Sequence, residues 1–284
     1  MKHSLLLTIF SLVISAAWAQ EKPAYKIYNG QGKEVKYSKM IKEIQVADVL
    51  LFGELHNNAI AHWLELEVSK DLLIKRGLVL GAEMLEADNQ TALDDYLKGT
   101  IEDRGFDSLA RLWPNYDNDY KPLVDFAKEN QLVFVASNIP RRYASLVYKG
   151  GFEALDTISE KEKSWMAPLP IDFDPEIETY KEILTMMGDH GSPRLVMAQA
   201  IKDATMAHFI LENLTDGSLF IHYNGAYHSD NYEGILWHMK RKKAEINCKT
   251  ISTVSQDNIN VLQEENFGKA DFIICVDADM TNTY

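Results

Sequence analysis

Hydrophobic residues along the chain form short apolar runs, which alternate with stretches where apolar positions recur every three or four residues. Six short runs predict buried strands: 46–52, 78–82, 132–136, 219–223, 248–254 and 272–276. Helical spacing lies between the earlier runs: 59–76, 89–98, 106–112 and 120–130. Strands that alternate with helices are typical of parallel crossover units, so the pattern predicts an α/β fold with a mostly parallel sheet flanked by helices.

Residues 141–213 break this alternation, because they contain helical patterns and no convincing strand. Four helices are predicted there: 142–148, 159–165, 175–187 and 193–213. We therefore predict a sheet domain built from residues 20–140 and 214–284, with 141–213 as an inserted helical subdomain. Such a connection is longer than usual, and an insertion at the carboxyl ends of strands commonly covers a functional site.

A turn signal stands near the start of the sheet domain. Asn29-Gly30 separates the β-rich run 25–28 from a second short run through Val35 and Tyr37. Asn-Gly between two such runs is the strongest short-range hairpin signal, so the sequence predicts a β-hairpin there.

The first nineteen residues have the pattern of a secretory signal peptide. Lys2 and His3 precede an apolar stretch, and Ala17-Trp18-Ala19 fits the small-x-small cleavage rule. We predict that residues 1–19 are removed, and the apolar stretch is too short for a membrane span. The mature protein is expected to be exported, either to the periplasm or to the cell surface.

The chain is acidic, with a formal net charge of −13. Nucleic acids and anionic membrane surfaces need a basic face, so this charge argues against both as partners. The basic block 240–243 is typical of the solvated end of a helix, or of a site for an acidic group such as a propionate. Cys248 and Cys275 are too few for a disulfide scaffold and predict buried free thiols, or one pair if they lie adjacent.

The pattern Gly-x-x-His occurs twice, at Gly53–His56 and at Gly225–His228. Each copy follows an apolar run that predicts a strand. In an open parallel sheet, ligands and reacting groups collect outside the carboxyl ends of the strands. Two titratable clusters at two such ends therefore indicate one site assembled by the fold.

Three charged side chains accompany the histidines at these predicted strand ends. Glu54 and His56 are two positions apart, so they share one face of a strand and form a pair suited to metal ligation or acid–base chemistry. Glu83 ends the second strand. If Glu54 and Glu83 lie on neighbouring strand ends, their proximity raises the pKa of one of the two carboxyl groups. Arg141 follows the third strand, where it could clamp a carboxylate, phosphate or propionate. Each has a structural alternative: a helix cap, a hydrogen-bonded corner or a salt bridge.

Two stripes in the predicted insertion bear on the site. Gln199, Asp203 and Met206 share one helix face, which either looks at the site or is solvated. The preceding helix carries a methionine and aromatic stripe: Phe173, Ile177, Tyr180, Leu184 and Met187, with Asp189 and His190 at its end. Such a stripe is typical of core, while a flat apolar cofactor with an axial Tyr or His would use the same surface.

A set of motifs in this order resembles the ChaN-type family. They are LFGELHN at 51–57, GAE at 81–83, NIPR at 138–141, MAQ with KDATMA within 197–207, and NGAYH at 224–228. ChaN-type proteins are iron-regulated, haem-binding exported proteins, in a superfamily that includes Tiki proteases, TraB proteins and erythromycin esterases. The resemblance implies a Rossmann-like sheet with a small helical subdomain.

The resemblance also implies ligands and partners. Haem would bind near the helical subdomain, as a stacked pair shared between two subunits of a homodimer, with Tyr or His on the iron. The candidate haem-binding residues are Tyr116, Tyr120, Tyr180, Met187 and His190. In Tiki relatives the paired Gly-x-x-His site holds a divalent metal, for which Glu54, His56 and His228 are the candidate ligands.

Three functional hypotheses follow. The first is an exported haem-binding protein for haem and iron acquisition, with an outer-membrane haem receptor as a partner. The second is a metal-dependent hydrolase, peptidase-like or esterase-like, whose catalytic residues would be Glu54, His56, Glu83, Arg141 and His228. The third is a binding module in which the polar cluster only fixes loops.

Overall fold

The structure is a computed structural model, and it describes residues 22–188 and 191–284. The predicted signal peptide, residues 1–19, lies outside the described residues. Within them the chain forms seven strands: β1 Tyr25–Asn29, β2 Val49–Glu54, β3 Leu78–Glu86, β4 Val133–Asn138, β5 Leu219–Gly225, β6 Cys248–Gln256 and β7 Phe272–Asp277.

Ten α-helices occur in the same residues. The first five precede β4: α1 Tyr37–Ile44, α2 Ala59–Leu73, α3 Gln90–Leu97, α4 Asp103–Leu109 and α5 Lys121–Glu129. The other five follow it: α6 Arg141–Gly150, α7 Glu160–Lys163, α8 Glu178–Met187, α9 Pro193–Glu212 and α10 Ile235–Lys242. Helices α6 to α9 all lie between β4 and β5, in the segment predicted as the insertion. No helix among the described residues has the length and apolar character needed to cross a membrane.

The strands form one sheet in the order β1-β7-β6-β2-β5-β3-β4. Every neighbouring pair is parallel except β1 and β7, which are antiparallel. The predicted α/β class with a mostly parallel, helix-flanked sheet is therefore confirmed. Strand β5 lies between β2 and β3, so the second Gly-x-x-His segment emerges beside the first.

The period of two along β2 explains how the sheet buries both faces. Leu50 and Phe52 point to one side and pack in a core that includes residues of α1, α2, α3 and α5. Val49 and Leu51 point to the other side, toward residues of α9 and α10. All four side chains are fully buried, which is why this strand is a continuous apolar run.

The predicted hairpin at Asn29-Gly30 forms only close to its turn, where the backbone N–H groups of Asn29 and Val35 donate to the carbonyls of Lys33 and Ile27. The side-chain oxygen of Asn29 accepts hydrogen bonds from the backbone N–H groups of Gln31 and Lys33, which closes a turn. Glu34 makes only an isolated bridge to Tyr28, and α1 begins at Tyr37. Strand β1 pairs along its length with β7, and the second arm of the hairpin ends early because the buried residues Met40, Ile41 and Ile44 have helical spacing.

Strand β3 also differs from its prediction. It continues from Leu78 to Glu86, so Glu83 lies within the strand and not at its end. The register with β4 shifts between Ala82 and Glu86, which marks a bulge where Glu83 is located. Because β5 separates β2 from β3, Glu54 and Glu83 do not lie on neighbouring strands.

Candidate functional site

The two Gly-x-x-His segments touch each other where β2 and β5 end. In the parallel register Glu54 lies beside Gly225. A Cβ atom on Gly53 would lie 3.0 Å from Cα of Ala226, and one on Gly225 would lie 2.7 Å from Cε1 of His56. Both glycines are therefore required by close approach of the two motifs.

This contact predicts the effect of adding a methyl group at Gly225. The backbone φ of Gly225 is −56°, which any residue adopts, so a Gly225→Ala substitution acts through the clash with His56 alone. We expect a loss of about 1–3 kcal/mol in the free energy of unfolding, as for other overpacked sites. Urea unfolding measures it. Gly77→Ala, whose new Cβ would meet only the Ser218 side chain, is the control, and equal losses in both variants would contradict this reading.

Glu54 and His56 form the first pair of the site. The His56 Nδ1 atom lies 2.5 Å from Oε1 of Glu54, and the Tyr120 hydroxyl donates to the same oxygen at 3.3 Å. Glu54 is fully buried, whereas 40% of the His56 side chain is exposed. Burial alone would lower the pKa of His56, but the hydrogen bond and charge of Glu54, with the charge of Glu83, raise it.

His228 lies between two buried carboxylates. Its Nε2 atom is 3.1 Å from Oε1 of Glu83, and its Nδ1 atom bonds to the carboxylate of Asp203. The side-chain amide nitrogen of Gln199 is 3.0 Å from Nδ1. The α9 face that carries Gln199 and Asp203 therefore points toward the site. Of the two predicted orientations, toward the site or toward solvent, the first is confirmed. Burial would lower the pKa of His228, but the charges of Glu83 and Asp203 raise it to about 10.

Glu83 is held in its ionised form by its neighbours. Its Oε2 atom accepts a hydrogen bond from the backbone N–H of Gly225 at 2.8 Å. Burial would raise the pKa of Glu83, but the charge of His228 outweighs burial and holds it below its usual range. The pKa of Glu83 is therefore not the one raised by a pair of neighbouring carboxylates, because Glu83 pairs with an imidazolium.

The charge on His228 makes stability depend on pH. Because the folded-state pKa is raised, this stabilisation is fully present below the ordinary pKa of 6.5 and is lost as the pH rises toward 10. We expect a fall of up to about 1.4 kcal/mol per pH unit in the unfolding free energy from this group. Urea unfolding at pH 7 and pH 9 should show a shallower slope for His228→Gln. Parallel slopes for the variant and the wild type would contradict the assignment.

The predicted metal ligands, Glu54, His56 and His228, all form ion pairs with side chains of the site. Among the described residues, no group of three or more His, Cys, Asp or Glu side chains is arranged to hold a metal ion. Glu54 and His56 bond to each other, while His228 bonds to Glu83 and Asp203. The ligand set predicted from Glu54, His56 and His228 is thus not assembled in this structure.

A further buried cluster supports the backbone of His56. The His56 carbonyl accepts from the Asn115 side-chain amide at 2.8 Å and lies 3.2 Å from Nε2 of His62. Nδ1 of His62 is 3.1 Å from Oε2 of Glu65. Sequence reasoning missed these residues, although His62 and Glu65 stand at i and i+3 beside apolar positions of α2 and would have indicated a buried pair.

Arg141 lies at the start of α6. It is exposed and lines a groove of about 530 Å³ with Arg111, Arg142 and Trp113, among other residues. Arg142 makes an ion pair with Asp88 at 2.7 Å, whereas Arg141 makes none with Glu54 or Glu83. The edge of Trp113 meets the His56 ring with 4.9 Å between centroids, so this groove borders the site.

The candidate haem-binding residues fall into three groups. Tyr116, Tyr120 and Tyr180 are buried, and the Tyr180 hydroxyl donates to Asp203 at 2.8 Å. Met187 is 43% exposed at the end of α8. His190 lies outside the described residues. The part of these residues in haem binding stays a prediction.

Solved structures of similar fold are known. ChaN of Campylobacter jejuni, described with cofacial haem binding, is 18% identical, covers 88% of this chain and 96% of its own, and has a TM-score of 0.67. A Bacillus cereus protein is 10% identical over 89% of this chain and 95% of its own, with a TM-score of 0.52. An erythromycin esterase variant is 10% identical over 90% and 98%, also with a TM-score of 0.52. These similarities show the fold.

A sequence family covers most of the chain. The family described as haem-binding uptake, Tiki superfamily, ChaN matches residues 40–239, a range that contains both Gly-x-x-His segments and the helices α6 to α9. No curated protein matches the sequence. The chain therefore belongs to the haem-binding ChaN family of the Tiki superfamily.

Proposed function

We propose that this protein is an exported haem-binding protein that acts in haem and iron acquisition. The observation that carries the proposal is an exposed surface formed by Met186, Met187 and Tyr227, which we call the methionine–tyrosine surface. The three side chains are 60%, 43% and 45% exposed. Membership of a haem-binding family supports the same conclusion.

The methionine–tyrosine surface has the chemistry that haem requires. A haem needs an apolar face and an iron ligand, and thioether and phenol groups both serve as iron ligands in proteins. The Tyr227 hydroxyl contacts Sδ of Met186 at 3.9 Å, so a thioether and a phenol are adjacent. Methionine side chains adapt to the shape of a ligand, and exposed apolar patches commonly mark binding sites.

We propose Tyr227 as the iron ligand. Tyr116, Tyr120 and Tyr180 are buried inside the fold, whereas the Tyr227 side chain is exposed and can be reached by a bound ligand. Tyr227 belongs to the second Gly-x-x-His segment, at the end of a buried strand, so its backbone is held by the sheet. Haem here would contact α8 on one side and this segment on the other.

A homodimer around stacked haems is the proposed assembly. The C. jejuni protein of similar fold is described as binding haem cofacially. An exposed surface buries more apolar area when a second copy covers the other face of the ligand. We propose an outer-membrane haem receptor as the source of the haem, in keeping with the export predicted from residues 1–19.

Haemin titration tests the proposal. Purified protein lacking residues 1–19 should shift the Soret band saturably, with one haem per chain, and sedimentation should show a dimer in the loaded state. Absence of a shift at any protein concentration would refute haem binding. Export is tested separately by cell fractionation and intact mass, which should locate a chain beginning at Gln20 outside the cytoplasm.

The metal-dependent hydrolase is the weaker alternative. Its predicted ligands are paired with each other and with carboxylates, and the described residues contain no metal-binding group of three or more acidic, His or Cys side chains. The salt bridges of His228 join the segment after β5 to Glu83 of β3 and to Asp203 of α9, which supports a structural role for the cluster. Equal metal content in the wild type and in His56→Ala and His228→Ala variants is the expected result.

A further inference from the structure

Three arginines lie around one surface groove. Arg111, Arg141 and Arg142 line it together with Trp113, and its volume is about 530 Å³. All three arginines are exposed, so a ligand in solution can reach them. None of the described residues that line this groove belongs to the methionine–tyrosine surface, so the groove is a different surface from the proposed haem site.

Two buried carboxylates hold two of these arginines in place. Oε2 of Glu86 accepts a hydrogen bond from Nε of Arg111 at 2.8 Å, and Asp88 pairs with both Arg111 and Arg142. The side chains of Glu86 and Asp88 are only 12% and 8% exposed, whereas those of Arg111 and Arg142 are 50% and 45% exposed. A guanidinium group has five N–H donors, so both arginines are fixed by these pairs and still have donors free for a ligand.

Arg141 supplies the excess positive charge of the groove. Among residues 22–188 and 191–284 it has no ion-pair partner, whereas Arg111 and Arg142 share Glu86 and Asp88. Three guanidinium groups and two carboxylates leave one positive charge there. The chain as a whole is acidic, with a formal net charge of −13, so this local excess is unusual for its surface. A ligand with one negative charge would balance it.

Two aromatic side chains add apolar surface to the groove. The Trp113 ring makes an edge contact with the His56 ring at 4.9 Å between centroids, which helps to fix its orientation. Tyr284 also lines the groove. The residue before it is anchored, because the Thr283 hydroxyl donates to the Asp119 carboxylate at 2.6 Å. Fixed aromatic rings beside guanidinium groups suit a ligand that carries both a ring and a negative charge.

We propose that this groove binds an aromatic carboxylic acid, with its carboxylate on Arg141 and its ring against Trp113. A carboxylate carries the single charge that the groove lacks, and its two oxygens match the planar fork of a guanidinium group. A phosphate monoester carries about −1.5 to −2 charges at neutral pH and exceeds that balance. A neutral aromatic molecule leaves Arg141 without a partner. The volume of the groove lies within the usual range for small-molecule sites.

The test compares cinnamate with cinnamamide, which has the same ring and a neutral head group of similar shape. Both are titrated into haem-free protein lacking residues 1–19, by calorimetry and by NMR of the Trp113 indole. We expect cinnamate to bind at least about tenfold more tightly than cinnamamide, because hydrogen bonds between charged groups are the stronger ones, and to shift the Trp113 signal. Acetate, which lacks the ring, should bind more weakly than cinnamate. Equal affinities for cinnamate and cinnamamide, or no binding of cinnamate at millimolar concentration, would overturn the proposal.

Two variants assign the effect to Arg141. Arg141→Met removes the charge and keeps an apolar side chain, so it should bind cinnamate and cinnamamide with similar affinity. Arg104→Met is the matched control, because Arg104 is also exposed and has no ion-pair partner within the described part of the chain. It removes the same charge outside the groove and should keep the affinity for cinnamate within about twofold of the wild type. A retained preference for cinnamate in Arg141→Met, or an equal loss of affinity in both variants, would overturn the assignment.

Discussion

Replacing His228 with leucine is expected to lower the free energy of unfolding by about 3–5 kcal/mol, the range for breaking a buried ion pair. The imidazolium lies between Glu83 and Asp203, and both carboxylates are buried, at 3% and 0% exposure. Its removal leaves two negative charges close together without a counter-charge or access to water. Much of the loss therefore comes from the carboxylates that remain.

Two further variants test whether the loss of stability comes from the uncompensated carboxylates. His208→Leu is the control, because His208 is partly exposed and its nearest acid, Glu212 at 3.5 Å, is on the surface. It should change stability by less than about 0.5 kcal/mol. Adding Glu83→Gln and Asp203→Asn to His228→Leu should restore part of the lost stability, since the uncompensated charges are gone. A loss below about 1 kcal/mol in His228→Leu would show that the bridges contribute little.

Replacing Met186 with glutamate is expected to weaken haemin binding at least about tenfold, equivalent to about 1.4 kcal/mol. Met186 contributes an exposed apolar side chain to the methionine–tyrosine surface and contacts the Tyr227 hydroxyl. A carboxylate there removes the apolar contact and would be desolvated under the porphyrin. The dissociation constant from Soret titration measures the effect.

Leu109→Glu is the matched control for this variant. Leu109 and Met186 are both 60% exposed, so each substitution adds the same charge at the same solvent accessibility. Leu109 lies in α4, outside the helices between β4 and β5. Its substitution should leave haemin affinity within about twofold of the wild type. Equal weakening by both variants would indicate a general charge effect and would remove the support for this surface.

The strands could be predicted from sequence because the buried sheet leaves continuous apolar runs, as in Val49–Phe52. The meeting of the two Gly-x-x-His segments followed from the rule that sites form at the carboxyl ends of parallel strands. The need for glycine at position 225 comes from steric contact with His56. That contact could not be predicted from the sequence, because it depends on the three-dimensional position of His56 beside Gly225.

The pairing inside the site could not be predicted, because it depends on strand order. A long helical connection places β5 between β2 and β3, which brings His228 to Glu83 and separates Glu83 from Glu54. Local patterns carry no information on that order. The prediction of a strand through Tyr37 was wrong for a local reason. The β propensity of Tyr37 is overridden by the helical spacing of Met40, Ile41 and Ile44.

We propose that haem binds on the methionine–tyrosine surface with Tyr227 as its iron ligand, while the buried polar cluster is structural. The most direct measurement is the visible absorption spectrum of the haemin-loaded wild type, Tyr227→Phe and Tyr180→Phe. Tyr180 is the control, since its hydroxyl is buried against Asp203. We predict that Tyr227→Phe changes the Soret position and the phenolate charge-transfer bands, while Tyr180→Phe keeps the wild-type spectrum. An unchanged spectrum in Tyr227→Phe would contradict the claim.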